Sequence, residues 1–91
     1  MKEIHSILHT VLVVLYLANE VIVLITVEAG MVSDAAAAIK NVDGIKKIYI
    51  VTGPFDIVVI AEIPERSKFR ALVDSIHEAP GINRTETCIA I

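Results

Sequence analysis

The run 48-IYIVTGPFDIVVIAEI-63 holds two apolar stretches rich in β-branched side chains, joined by Thr52-Gly53-Pro54-Phe55-Asp56. Branched side chains suit a pleated strand and Gly with Pro suits a tight reversal, so the run reads as two antiparallel strands and their loop. Along the second strand Phe55, Ile57, Val59, Ala61 and Ile63 point one way, and Asp56, Val58, Ile60 and Glu62 the other. Both faces are apolar at their centre. The helices of so short a chain can cover one side of a sheet, so the other side predicts a lid from a second subunit and an obligate oligomer.

Outward from this hairpin, Val21 to Glu28 (VIVLITVE) reads as a preceding strand, again apolar on both faces. Ala29-Gly30 turns the chain into a helix over Met31 to Lys40, with an apolar stripe of Val32, Ala35, Ala36 and Ile39. Gly44 stops that helix in the left-handed manner. Beyond the hairpin, Pro64 suits a helix's first turn, and Phe69, Leu72, Val73 and Ile76 mark the packed side of a second helix running to about Glu78. Pro80-Gly81 ends it, and Asn83 to Ile91 reads as the last strand, with Thr85, Thr87, Ile89 and Ile91 opposite Arg84, Glu86, Cys88 and Ala90. At a spacing of 37 residues Val32 matches Phe69, Ala35 Leu72, Ala36 Val73, Ile39 Ile76 and Gly44 Gly81, so the chain is two similar βαβ halves. With right-handed crossovers they close as an α+β, ferredoxin-like βαββαβ fold: one antiparallel sheet, both helices on one face.

The chain has 91 residues, 55% of them hydrophobic, enough for one domain and rich in apolar surface for that size. Lys+Arg 8 against Asp+Glu 11 gives a net charge of −3 with no basic run, which argues against direct nucleic-acid binding. A single cysteine, Cys88, has no CxxC partner, pointing to a reducing, cytoplasmic setting and a small strand residue. Residues 1–20 read as an apolar N-terminal extension and 21–91 as the domain. Residues 4 to 18 fit a helix by the stripe Ile4, Ile7, Leu8, Val11, Leu12, Leu15 and Ala18, and a strand by Val11, Val13 and Val14. The apolar part is short for a membrane span and lacks a small-x-small cleavage site, so no membrane association is expected.

Catalytic signatures are absent: there is no G-x-S-x-G, no P-loop and no cysteine with a positioned histidine. The chain reads as a non-enzyme without cofactor. His5 and His9 have helical metal-ligand spacing but lack the further ligands a site needs, and His77 stands apart with no evident partner, so no metal is expected. Two polar groups of residues remain. Thr52 to Asp56 brings backbone groups, a ring and a carboxylate to one end of the sheet, and Arg84-Thr85-Glu86-Thr87 brings charges and hydroxyls to the start of the last strand. Exposed N–H groups and hydroxyls suit a carboxylate, and Asp56 or Glu86 suits an ammonium, an inventory that fits a small zwitterion such as an amino acid. The plainer reading makes Asp56 a turn cap and the threonines ordinary strand residues.

The segments VLITVEAG (23–30), D-G-I-x-K-x-Y-x-V-T-G (43–53), G-x-F-D (53–56) and R-T-E-T (84–87), in this order, resemble the RAM, or effector-binding, domain of the leucine-responsive/asparagine-regulator (Lrp/AsnC) family of transcription regulators. The resemblance implies the ferredoxin-like fold, dimers joined sheet to sheet as in a dimeric α/β barrel, higher assemblies of those dimers, and amino-acid effectors bound between them. By position it assigns effector binding to Gly53, Phe55, Asp56, Thr85 and Thr87. Pro54 departs from the acidic residue common in the family at that point, removing a charge and an N–H donor. Full-length members carry a helix-turn-helix domain ahead of this module. The chain resembles the stand-alone form, whose implied partners are further copies of itself, a small amino acid and a full-length regulator of the same family or a metabolic enzyme. An ACT-type regulatory domain, a small dimeric α+β-barrel enzyme and a ligand-free assembly domain are the competing readings.

Overall fold

The structure is a computed structural model and describes residues 19–90. The extension expected over residues 1–20 falls almost wholly outside them, as do His5, His9 and Ile91. The elements run β1 (Glu20–Val27), α1 (Val32–Lys40), β2 (Ile45–Ile50), β3 (Ile57–Glu62), one 3-10 turn (Arg66–Lys68), α2 (Phe69–His77) and β4 (Ile82–Ile89). The strands lie in the order β2-β3-β1-β4 and every neighbouring pair is antiparallel, which is the ferredoxin-like arrangement.

The alternation expected from sequence is what divides the two sides of this sheet. Val21, Val23 and Ile25 of β1 stand opposite Ala61, Val59 and Ile57 of β3, and all six are fully buried beneath Ala35 and Ile39 of α1 and Leu72 and Ile76 of α2. Among the described residues no helix lies on the other side. There the register lines up Tyr49, Val58, Leu24 and Glu86 in one row and Lys47, Ile60, Ile22 and Cys88 in the next. The four central side chains, Ile22, Leu24, Val58 and Ile60, are half-buried and apolar, and Tyr49 at the rim is 48% exposed.

The internal repeat is visible in the backbone. The two helices begin 37 residues apart, at Val32 and Phe69, and each connects to its strand through a glycine at positive φ, Gly44 (92°) and Gly81 (77°). Both glycines also lie against other chain: a Cβ on Gly44 would stand 2.6 Å from the Glu62 carbonyl oxygen, and one on Gly81 2.5 Å from Met31 Cβ. Their carbonyls accept equivalent hydrogen bonds, from the Glu62 amide and the Glu28 amide, each at 2.8 Å.

Element limits differ modestly from expectation. The second arm of the hairpin begins at Ile57, two residues after Phe55, because the Val51 amide donates to the Asp56 carbonyl at 2.9 Å and closes the loop there. The chain after Pro64 makes its first turn as a 3-10 helix, with the Lys68 amide donating to Glu65, and becomes α-helical only at Phe69. Among the described residues no helix is long and apolar enough to cross a membrane.

Candidate functional site

The loop between β2 and β3 is held from within: the Val51 amide donates to the Asp56 carbonyl at 2.9 Å. The Asp56 side chain then reaches sideways, its Oδ2 accepting from the Val27 amide at 2.8 Å. That amide sits at the last residue of β1, where the ladder to β3 has ended at the Ile25–Ile57 pair, so the carboxylate supplies an acceptor that the sheet does not. Gly53 and Pro54 form the exposed tip, with nothing within 4 Å of where a Gly53 side chain would begin, and Phe55 is half-buried below them.

Ile25 places the second group of residues. It pairs with Ile57 on one side and with Thr85 on the other, so the loop and the first half of β4 occupy the same end of the sheet with β1 between them. Two strand spacings separate them, roughly 10 Å. Thr85 and Thr87 are half-buried on the helix-covered face, opposite Ile25 and Val23. Arg84 and Glu86 point from the other face and are ion-paired with each other. Of the two carboxylates suited to an ammonium, Asp56 therefore has one oxygen on a backbone amide, and Glu86 stands across the sheet from the threonines with Arg84 beside it.

One residue that sequence reasoning left without a partner belongs to this end of the molecule. His77, the last residue of α2, has Nε2 2.9 Å from Thr85 Oγ1. The signal was present: His77 and Thr85 each lie four residues from Gly81, and a tight helix-to-strand turn centred there folds them together. A groove of about 710 Å³ lies elsewhere, between the C-terminal end of α1 and the length of α2, walled by Ala38, Val42, Leu72 and Ser75. None of the residues expected at the site lines it. Among the described residues no three His, Cys, Asp or Glu side chains are grouped to hold a metal ion.

The model of the Lrp/AsnC ligand-binding domain matches residues 20–91. The chain belongs to that family. Membership favours the RAM-type reading over the ACT-type one, and it accords with the fold just described. Among Lrp/AsnC relatives, the HTH-type transcriptional regulator FL11 of Pyrococcus abyssi is 29% identical over 69 residues, 76% of this chain and 46% of that protein. The chain thus spans about half the length of that curated relative. A crystal structure of a protein from Thermus thermophilus superposes with a TM-score of 0.75 at 27% identity, covering 79% of this chain and 91% of the other. The feast or famine regulatory protein of M. tuberculosis, solved in complex with L-methionine, shares the fold at a TM-score of 0.67 and 21% identity, covering 79% of this chain and 49% of that one.

Proposed function

We propose that this chain is a non-enzymatic, oligomeric amino-acid-binding module that regulates by assembly, joining a DNA-binding regulator of its family or a metabolic enzyme. The observation that carries the proposal is the sheet face that no described helix covers, where Ile22, Leu24, Val58 and Ile60 form a continuous apolar centre with a polar rim. A face of this kind is buried by a second sheet, and the seams between subunits then bring polar groups of neighbouring copies together. At the end of the sheet, Gly53, Phe55, Asp56, Thr85 and Thr87 offer the amides, ring and hydroxyls that suit an amino acid. They are some 10 Å apart across β1, so one small ligand touches both kinds of group only where a neighbouring subunit supplies one of them. The mycobacterial relative holding L-methionine supports this class of ligand. The protein's net charge of −3 supports a role that reaches DNA only through a partner. A reduced, cytoplasmic setting goes with the unpaired Cys88.

The test is a melting-temperature screen of the full chain against each of the twenty amino acids at millimolar concentration, with light scattering alongside. A ligand at ten times its Kd adds about 1.4 kcal/mol of stability, a shift of roughly 5 °C or more in a domain this small. Twenty flat traces reject the sensing role, and a monomer by light scattering rejects the assembly on which it depends.

A further inference from the structure

The contact between His77 Nε2 and Thr85 Oγ1 joins the C-terminal end of α2 to β4 at the end of the sheet where the proposed amino-acid site lies. A hydroxyl has one proton to give and two lone pairs to accept with, so the group that faces it decides which of these remains for a ligand. A neutral imidazole nitrogen either donates or accepts according to its tautomer. A cationic ring carries N–H on both nitrogens and donates from each. Opposite a cationic His77, Thr85 Oγ1 must accept, and its own proton is directed away from the ring.

We infer that His77 is a positioning residue of the amino-acid site: protonated, it fixes the Thr85 hydroxyl as a donor toward the ligand's carboxylate. The inference rests on the proposed function for its ligand, and adds to it a residue and a proton linkage that none of the motif segments contains. The sign follows directly. Imidazoles change charge between about pH 5 and 8, whereas a free amino acid stays zwitterionic through the middle of that range. Binding therefore tightens as the pH falls and slackens as it rises. The charged groups on the elements that carry the pair and at the turn between them are Arg70 and Asp74 on α2, 3.6 Å apart and paired with each other; Glu78, which caps the helix; Arg84 and Glu86, paired on the far face of β4; and Glu28, whose amide bonds to Gly81 at the turn. His77→Gln separates the imidazole from all of these, since Gln keeps a hydrogen-bonding amide and does not titrate.

Calorimetry on the full chain, with L-methionine as the first probe and the other amino acids after it, reads affinity at pH 5.5 and 7.5. The wild type is expected to bind about fivefold more tightly at the lower pH, the worth of one hydrogen bond. His77→Gln is expected to bind equally at both, and Thr85→Val, which keeps the shape and loses the hydroxyl, to bind weakly and without pH dependence. A wild-type ratio near one, or a His77→Gln ratio as large as the wild type's, overturns the inference while leaving amino-acid binding in place. A ligand-free measurement judges the pair by itself: nitrogen NMR of the His77 ring must show a different tautomer balance or titration midpoint in Thr85→Val. An unchanged ring overturns the inference whatever binds, and failure of every amino acid to bind overturns the function and this role together.

Discussion

The Val27 amide donates to Asp56 Oδ2 at 2.8 Å, across 29 residues of sequence, and ties the end of β1 to the loop that turns the hairpin. Asp56→Ala leaves that part-buried amide without an acceptor, a loss of about 1–3 kcal/mol. Asp56→Asn keeps a carbonyl oxygen in place and is expected to lose less than half as much. Urea unfolding of the full chain measures both. Equal losses would mean that charge, not the hydrogen bond to Val27, is what the position requires.

Gly44→Ala and Gly81→Ala each combine a positive φ with a Cβ placed about 2.5 Å from another atom, at Gly44 a backbone oxygen that cannot swing aside. Each is expected to lose more than about 2 kcal/mol, above the roughly 1 kcal/mol that conformation alone costs an alanine. Gly53→Ala meets no neighbour within 4 Å and should cost only the conformational part. Melting temperatures of the three variants should fall into these two groups.

Leu24→Asp puts a carboxylate in the middle of the sheet face opposite the helices, between Val58 and Glu86 in the same row. In a single subunit this position is half-buried and the change is tolerable; against a second sheet it buries an unpaired charge. Light scattering is expected to show the assembly reduced to monomers or the protein precipitated. An unchanged assembly would place the subunit contact on another surface.

Thr87→Val exchanges a half-buried hydroxyl for a methyl group of the same shape, opposite Val23 on the helix-covered face. If the hydroxyl touches the ligand, amino-acid affinity falls about fivefold or more, while the melting temperature without ligand stays within a few degrees. An unaltered affinity removes Thr87 from the site.

The resemblance read from four short segments, together with their order, was sufficient for the family, and the hydrophobic alternation was sufficient for the fold. Val21, Val23, Ile25, Ile57, Val59 and Ala61 could be assigned to one side because a strand's side chains alternate regardless of what lies above them. Gly44 and Gly81 could be recognised as equivalent from their spacing, and the backbone gives them the same sign of φ. The site was less legible. Sequence proposed Asp56 as either ligand contact or turn cap, and the Val27 amide that occupies its Oδ2 is invisible until β1 is laid beside β3. His77 carried no signal by residue type alone; it gained a partner only when the Gly81 turn folded α2 back against β4.

Over residues 21–90, what this sequence determined unaided is what local period and local backbone freedom govern: which stretches are strands, which are helices, which face of each is apolar, and where glycine must turn the chain. Those properties are set by residues within a few positions of one another. Tertiary structure alone decided which polar side chains are neighbours. Asp56 meets Val27 and Thr85 meets His77 because the strand order and register bring distant segments together, and hydrogen bonds act over about 3 Å of space, irrespective of separation along the chain.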